Sequence, residues 1–245
     1  MTSSASTGVI QSIGGGWGPI LDERLRYSER QRLEEFLTGG WSPGGPAVYP
    51  RREQVFRALE MTPLADVRAV ILGQDPYPTE GQACGLAFSV PEVLPAGVRR
   101  PQSLGRILTE LRREGFGSPK GATLKPWTGK RGVLLLNAAL TYGVDGLDHG
   151  ELWRPFTTAV IQTIVGRADP AVFLLWGKKA QEWCPLVKPP HTAVCSPHPM
   201  ARGRAGPFAR SCPFSRANTA LGNEREIEWG LEWAREPGRE VEGGR

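Results

Sequence analysis

Four short runs of consecutive apolar residues punctuate the chain: Val67 to Leu72, Gly132 to Leu136, Ala171 to Trp176 and Thr192 to Cys195. Runs of that length without polar alternation predict strands buried on both faces. Between them the period changes. Leu104, Ile107, Leu108 and Leu111 recur at helical spacing behind Ser103, which reads as an N-cap. Phe156, Val160, Ile161 and Ile164 repeat that spacing ahead of the third run. Strand and helix in alternation imply right-handed crossovers. The expected fold is therefore α/β, a three-layer α/β/α arrangement around a central, mainly parallel four-stranded sheet.

Outside this pattern the ends differ in kind. Residues 1–16 are rich in Ser, Thr and Gly, and 236–245 are charged and Gly-rich. Neither has the apolar content to fix a backbone, so both are expected to be disordered tails around a single domain over 17–235.

The polar residues of interest lie where the apolar runs stop. The first run leads into Gly73-Gln74-Asp75-Pro76-Tyr77-Pro78, the second into Asn137, the third into Gly177-Lys178, and the fourth into Ser196-Pro197-His198-Pro199. In an open parallel sheet, ligands bind at the carboxyl ends of the strands, so these four segments converge on one edge. Asp75 and His198 are both held on proline-stiffened connectors. Taken singly, a turn aspartate and a surface histidine are the commoner roles. Facing each other, a carboxylate can balance a developing sugar cation and position water, while a neutral imidazole N–H can receive charge on a departing base. Asn137, otherwise a strand-end cap, can donate and accept at once, as reading a pyrimidine edge requires. Phe88, otherwise core, and Tyr77 could supply a stacking surface and a shape limit for a flipped base.

Charge and cysteine content refine this picture. With 30 basic and 25 acidic side chains the net charge is +5 and the isoelectric point near 9.2, which favours a polyanionic partner without requiring one. Cys84, Cys184, Cys195 and Cys212 are scattered with no C-x-x-C pair, which argues against a disulfide framework, a zinc site or an iron-sulfur cluster. No metal and no cofactor are expected. Neither a secretory leader nor an apolar run near the ~20 residues of a membrane span is present, so a cytoplasmic monomer is expected.

The segments GQDPYPTEGQACGLAFSV (73–90), RPQSL (100–104), LLLNAALT (134–141), LLWGKKAQ (174–181), SPHP (196–199) and CPFSRANTAL (212–221) resemble, in order and spacing, the motifs of family 1 uracil-DNA glycosylases. That resemblance covers about residues 49–221. It implies hydrolysis of the uracil–deoxyribose bond in single- or double-stranded DNA, as the first step of base excision repair. It also implies roles: Asp75 activates water, His198 stabilises the uracil anion, Asn137 reads the uracil edge, and Phe88 stacks on the base. Tyr77 excludes the thymine methyl, Gln74 contributes its backbone, and Ser103 with Gly177 and Lys178 grips DNA phosphates.

The sequence departs from that pattern in the segment following His198. The family's H-P-S-P-L-S is replaced by His198-Pro199-Met200-Ala201-Arg202-Gly203, which puts Arg202 where a leucine wedge is usual and removes both serines. Gln102 replaces a proline, and Cys84 a histidine. With Arg204, Arg210 and Arg216 nearby, Arg202 is expected to hold DNA by charge. A same-fold glycosylase for another modified base and a non-catalytic DNA-binding relative are the alternatives. Tyr77, Phe88 and Asn137 oppose the first, and the Asp75 and His198 pair opposes the second.

Overall fold

The computed structural model describes residues 8–41, 47–117, 123–143, 147–201 and 208–231. Its strands are β1 (Val48–Tyr49), β2 (Ala69–Gly73), β3 (Val133–Asn137), β4 (Tyr142–Gly143), β5 (Val172–Trp176) and β6 (Thr192–Ser196). β1 and β4 form a small antiparallel ribbon, and the other four form a parallel sheet in the order β3-β2-β5-β6. All residues of β2, β3 and β5 are buried, as their uninterrupted apolar runs require when both faces are covered. β6, at the edge, mixes exposed and buried positions. Each of the four predicted strands is present, shifted by at most two residues at either end.

Among the described residues there are seven α-helices, besides short 3-10 turns: α1 (Gly18–Arg24), α2 (Tyr27–Gly39), α3 (Arg57–Met61), α4 (Gln102–Arg113), α5 (His149–Val165), α6 (Lys178–Gln181) and α7 (Pro213–Leu221). α1 and α2 pack on α5, α3 packs on β3, and α7 packs on β5 and β6. Successive crossovers first carry the chain from β2 to β3, then back across β2 to β5. The topology therefore reverses between β2 and β5, and a crevice is expected at their carboxyl ends, Gly73 and Trp176.

The expected N-terminal tail is shorter than sixteen residues. Ile10 and Ile13 are buried in the main core, and the backbone N–H groups of Val9 and Ile10 donate to the Glu34 carboxylate, each at 3.0 Å. Two isolated isoleucines in a Ser/Gly-rich stretch have no period to announce them. Residues 1–7 and the expected tail at 236–245 lie outside the described residues. Near the other end, Trp229 is fully buried against Trp127 and Phe214, and Asn218 Oδ1 accepts from both Ile227 N–H and Trp229 Nε1–H.

α4 corrects a second expectation. Its N-cap is Pro101, and Ser103 lies inside the first turn with its side chain turned inward. Further along, Glu110 is 1% exposed, pairs with Arg113 at 2.8 Å, and accepts the backbone N–H groups of Arg210 and Cys212 at 3.0 and 3.1 Å. Burial opposes its ionisation, but Arg113 and the two N–H groups more than offset this and hold the carboxyl below its usual value. A depressed folded-state value means the stabilisation is present above the unfolded-state value and is lost as pH falls through the folded one. Glu110→Ala should therefore lower stability at pH 7 by about 2 kcal/mol, discounted for the part-exposed arginine. Urea denaturation should find that difference shrinking as pH drops below the carboxylate range.

Candidate active site

Backbone bonds extend the sheet ladder just past its strands: Ala138 N–H donates to Gly73 O and Ala139 N–H to Gln74 O, both at 2.9 Å. Gly73 has a local reason to lack a side chain, since a Cβ there would overlap Asn137 Oδ1. Where this ladder ends, Asp75 projects from the loop next to buried Pro76. Asp75 is open to solvent at the cavity mouth, yet desolvation raises its carboxyl above the usual value, partly offset by the Gln74 side-chain N–H at 3.2 Å.

Gln74, Asp75, Tyr77, Phe88, Asn137 and His198 share one cavity of about 230 Å³. Three of the four strand-end segments thus line the cavity, the Gly177-Lys178 turn stands behind His198, and Phe88 comes from an irregular segment that strand reading does not reach. Phe88 adopts φ of +59°, a left-handed conformation costing roughly 1–2 kcal/mol in a non-glycine residue. It is held there by Tyr77, whose hydroxyl donates to Phe88 O at 3.1 Å, and by Ala87 N–H on Leu135 O at 2.9 Å. The Phe88 ring leans on Trp176, with centroids 5.3 Å apart, and Trp176 in turn packs on Phe208 and Phe214. The back wall is therefore an aromatic stack anchored in α7. Burial pushes the Tyr77 phenol up to about 12, so it stays protonated. The amide oxygen of Asn137 is buried with no hydrogen-bond partner. A buried, unsatisfied acceptor is costly in a core and useful where a ligand brings the missing donor.

His198 is fixed by a turn of its own making. Ala201 N–H donates to His198 O at 2.8 Å, and Met200 N–H donates to His198 Nδ1 at 3.0 Å. With Nδ1 accepting, the proton of the neutral ring sits on Nε2. Burial lowers the His198 pKa, which favours that neutral form. Gly177, at φ +90°, packs against this histidine: a Cβ would stand 2.7 Å from His198 Cβ. Gly177 is thus a spacer for His198, and Lys178 beside it is exposed.

The Ser103 hydroxyl is buried and hydrogen-bonds the Tyr77 hydroxyl at 3.0 Å, so this side chain props the pocket wall. Arg216 turns its guanidinium inward, onto the carbonyls of Cys195 and Ser211 and the Ser196 hydroxyl. Arg202 and Arg204 lie outside the described residues. Met200 and Cys84, both departures from the motif pattern, line the same cavity, and Trp176 backs the Phe88 ring from behind it. Among the described residues no group of three or more His, Cys, Asp or Glu could hold a metal ion, and no helix is long and apolar enough to cross a membrane.

A larger cavity, about 390 Å³, adjoins the first across Asp75. Asp75, Asp148, Glu151 and Glu182 outnumber Lys179 and Arg154 on its walls, which disfavours an anionic occupant. The smaller cavity carries the convergent chemistry.

The family model described as the uracil DNA glycosylase superfamily matches residues 60–222. The chain is 41% identical over 219 residues to a uracil-DNA glycosylase of Streptococcus agalactiae, covering 87% of this chain and 97% of that protein. Identity is also 41% to uracil-DNA glycosylase 2 of Streptomyces avermitilis, covering 87% of this chain and 93% of that one. Among solved structures, mimivirus uracil-DNA glycosylase is similar with a TM-score of 0.72 and 26% identity, over 88% of this chain and 86% of that one.

Proposed function

The chain belongs to the uracil DNA glycosylase superfamily, and from that membership we propose that it is a family 1 uracil-DNA glycosylase working as a cytoplasmic monomer on single- or double-stranded DNA. The observation that carries this reading is the hydrogen bonding of the His198 ring. Its Nδ1 is occupied by Met200 N–H, so a neutral Nε2–H remains as donor in a cavity that also contains Asp75 and Asn137. That is the donor a departing uracil needs at its carbonyl oxygen.

The reaction follows from these groups. A uracil turned out of the stack enters between Phe88, which offers a face, and Tyr77, whose ring limits what can project from the pyrimidine edge. Asn137 pairs its amide with the uracil edge, which supplies the partner its buried oxygen lacks. As the C1′–N1 bond lengthens, its electron pair moves onto uracil and the sugar becomes oxocarbenium-like. His198 Nε2–H meets the charge collecting on the base oxygen. Asp75, ionised, balances the cation and orients a water whose oxygen bonds to C1′ and whose proton passes to the carboxylate. Uracil departs as its anion and is protonated from solvent while Asp75 returns its proton to solvent, so free uracil and an abasic site result without a cofactor. Four free thiols fit a reducing compartment.

Alkaline cleavage of a labelled oligonucleotide with one uracil, single-stranded and paired with G or A, tests this directly. Cleavage is expected at uracil alone, with thymine and cytosine controls intact. Folded protein that leaves every uracil substrate uncut would overturn the reading.

A further inference from the structure

The turn that fixes His198 is closed on its inner side by its own N–H groups, but its outer carbonyls need a partner. Arg106, exposed on α4 one turn beyond Ser103, supplies it: Nη1 donates to Pro199 O at 2.9 Å and to Ala201 O at 3.2 Å. We propose that Arg106 is a positioning residue for His198, bridging these two carbonyls so that Met200 N–H stays aimed at His198 Nδ1. The inference rests on the role given to His198 above.

Three observations support it. Pro199 has no N–H, so the turn's available donors are those of Met200 and Ala201, and both are already spent on His198. Among the described residues, nothing internal to the turn therefore satisfies the carbonyls at 199 and 201. Both bonds come from the one nitrogen Nη1, which stands a bond farther from the helix than a lysine ammonium would, so the arginine spans a gap that lysine does not. Finally, α4 is already tied to the pocket through Ser103 Oγ and Tyr77 OH at 3.0 Å. The same rigid helix thus references the base-contacting wall and the histidine to one another.

If Arg106 lets go, the turn can open and Met200 N–H leaves Nδ1. The ring proton can then sit on either nitrogen, and the tautomer with an Nε2 lone pair would repel the uracil oxygen. Asp75, Tyr77 and Cys84 share the cavity with His198, and Lys178 follows the glycine packed on it. None of these changes when Arg106 is replaced.

The test uses the full chain with histidines labelled by nitrogen-15. In the parent, His198 should show a single neutral tautomer with the proton on Nε2. Arg106→Met should show a mixture of tautomers, with the acid limb of the kcat profile moved to higher pH. Its kcat should fall on the order of tenfold while KM for DNA stays nearly unchanged. Arg106→Lys keeps the charge without the bridge, and should restore these properties only in part. Full restoration by lysine would show a simple charge effect and overturn the proposal. So would a wild-type tautomer in Arg106→Met, with a raised KM that high salt abolishes, which would mark Arg106 as a DNA phosphate contact. The tautomer is read on free protein, so it judges Arg106 even if uracil excision itself fails.

Discussion

Asp75→Asn should lower uracil excision on the order of 10³-fold or more, because one substitution removes both the water's proton acceptor and the anion facing the sugar cation. The loss belongs in kcat, since neither role exists before the bond lengthens. The same substitution should leave stability at neutral pH unchanged or raised. Desolvation raises the Asp75 carboxyl above its usual value, so the folded state disfavours the ionised form. A raised folded-state value means stability is fully present below the unfolded-state value and is lost as pH rises through the folded one. Asparagine removes that loss, so any thermal advantage of the variant should appear at neutral pH and vanish in acid. Single-turnover kinetics and thermal melts at two pH values check both halves. A variant that is slow because it is unfolded would show the opposite stability change.

His198→Asn should cost about 10²–10³ in kcat, the usual effect of removing one donor from a site where negative charge develops. His198 and Asp75 both govern the acid side of the pH profile, one needing to be neutral and the other ionised. Burial lowers the first and raises the second, so activity is expected to hold its plateau down through mildly acid pH before falling. Replacing His198 should leave a single ionisation in that limb, belonging to Asp75. A profile unchanged in shape would mean that the histidine does not titrate in the reaction.

Much of this site is legible in the sequence because its chemistry sits at strand ends, and strands buried on both faces declare themselves as apolar runs. Asp75, Asn137, Gly177 and His198 could be brought to one edge on that ground alone. What escapes is chemistry carried by the main chain. Met200 fixes the His198 tautomer through an N–H that any non-proline residue would have, and Arg106 acts on carbonyls, which no residue pattern advertises. Ser103 misleads for a related reason: it follows the helix-start pattern, but the proline two residues earlier takes the cap and frees the hydroxyl for Tyr77. Residues 8–16 escape because two isoleucines among glycines form no period, though both are buried and Glu34 takes the N–H groups of Val9 and Ile10.

α4 holds the chain on either side of residues 202–207 by main-chain atoms: Arg106 takes the carbonyls of Pro199 and Ala201, and Glu110 takes the N–H groups of Arg210 and Cys212. Anchors of that kind ignore the side chains they carry. The frame that orients the histidine is consequently indifferent to the side chains at its anchor points, so a substitution at Ala201 or Arg210 that keeps the main chain in place leaves that frame standing.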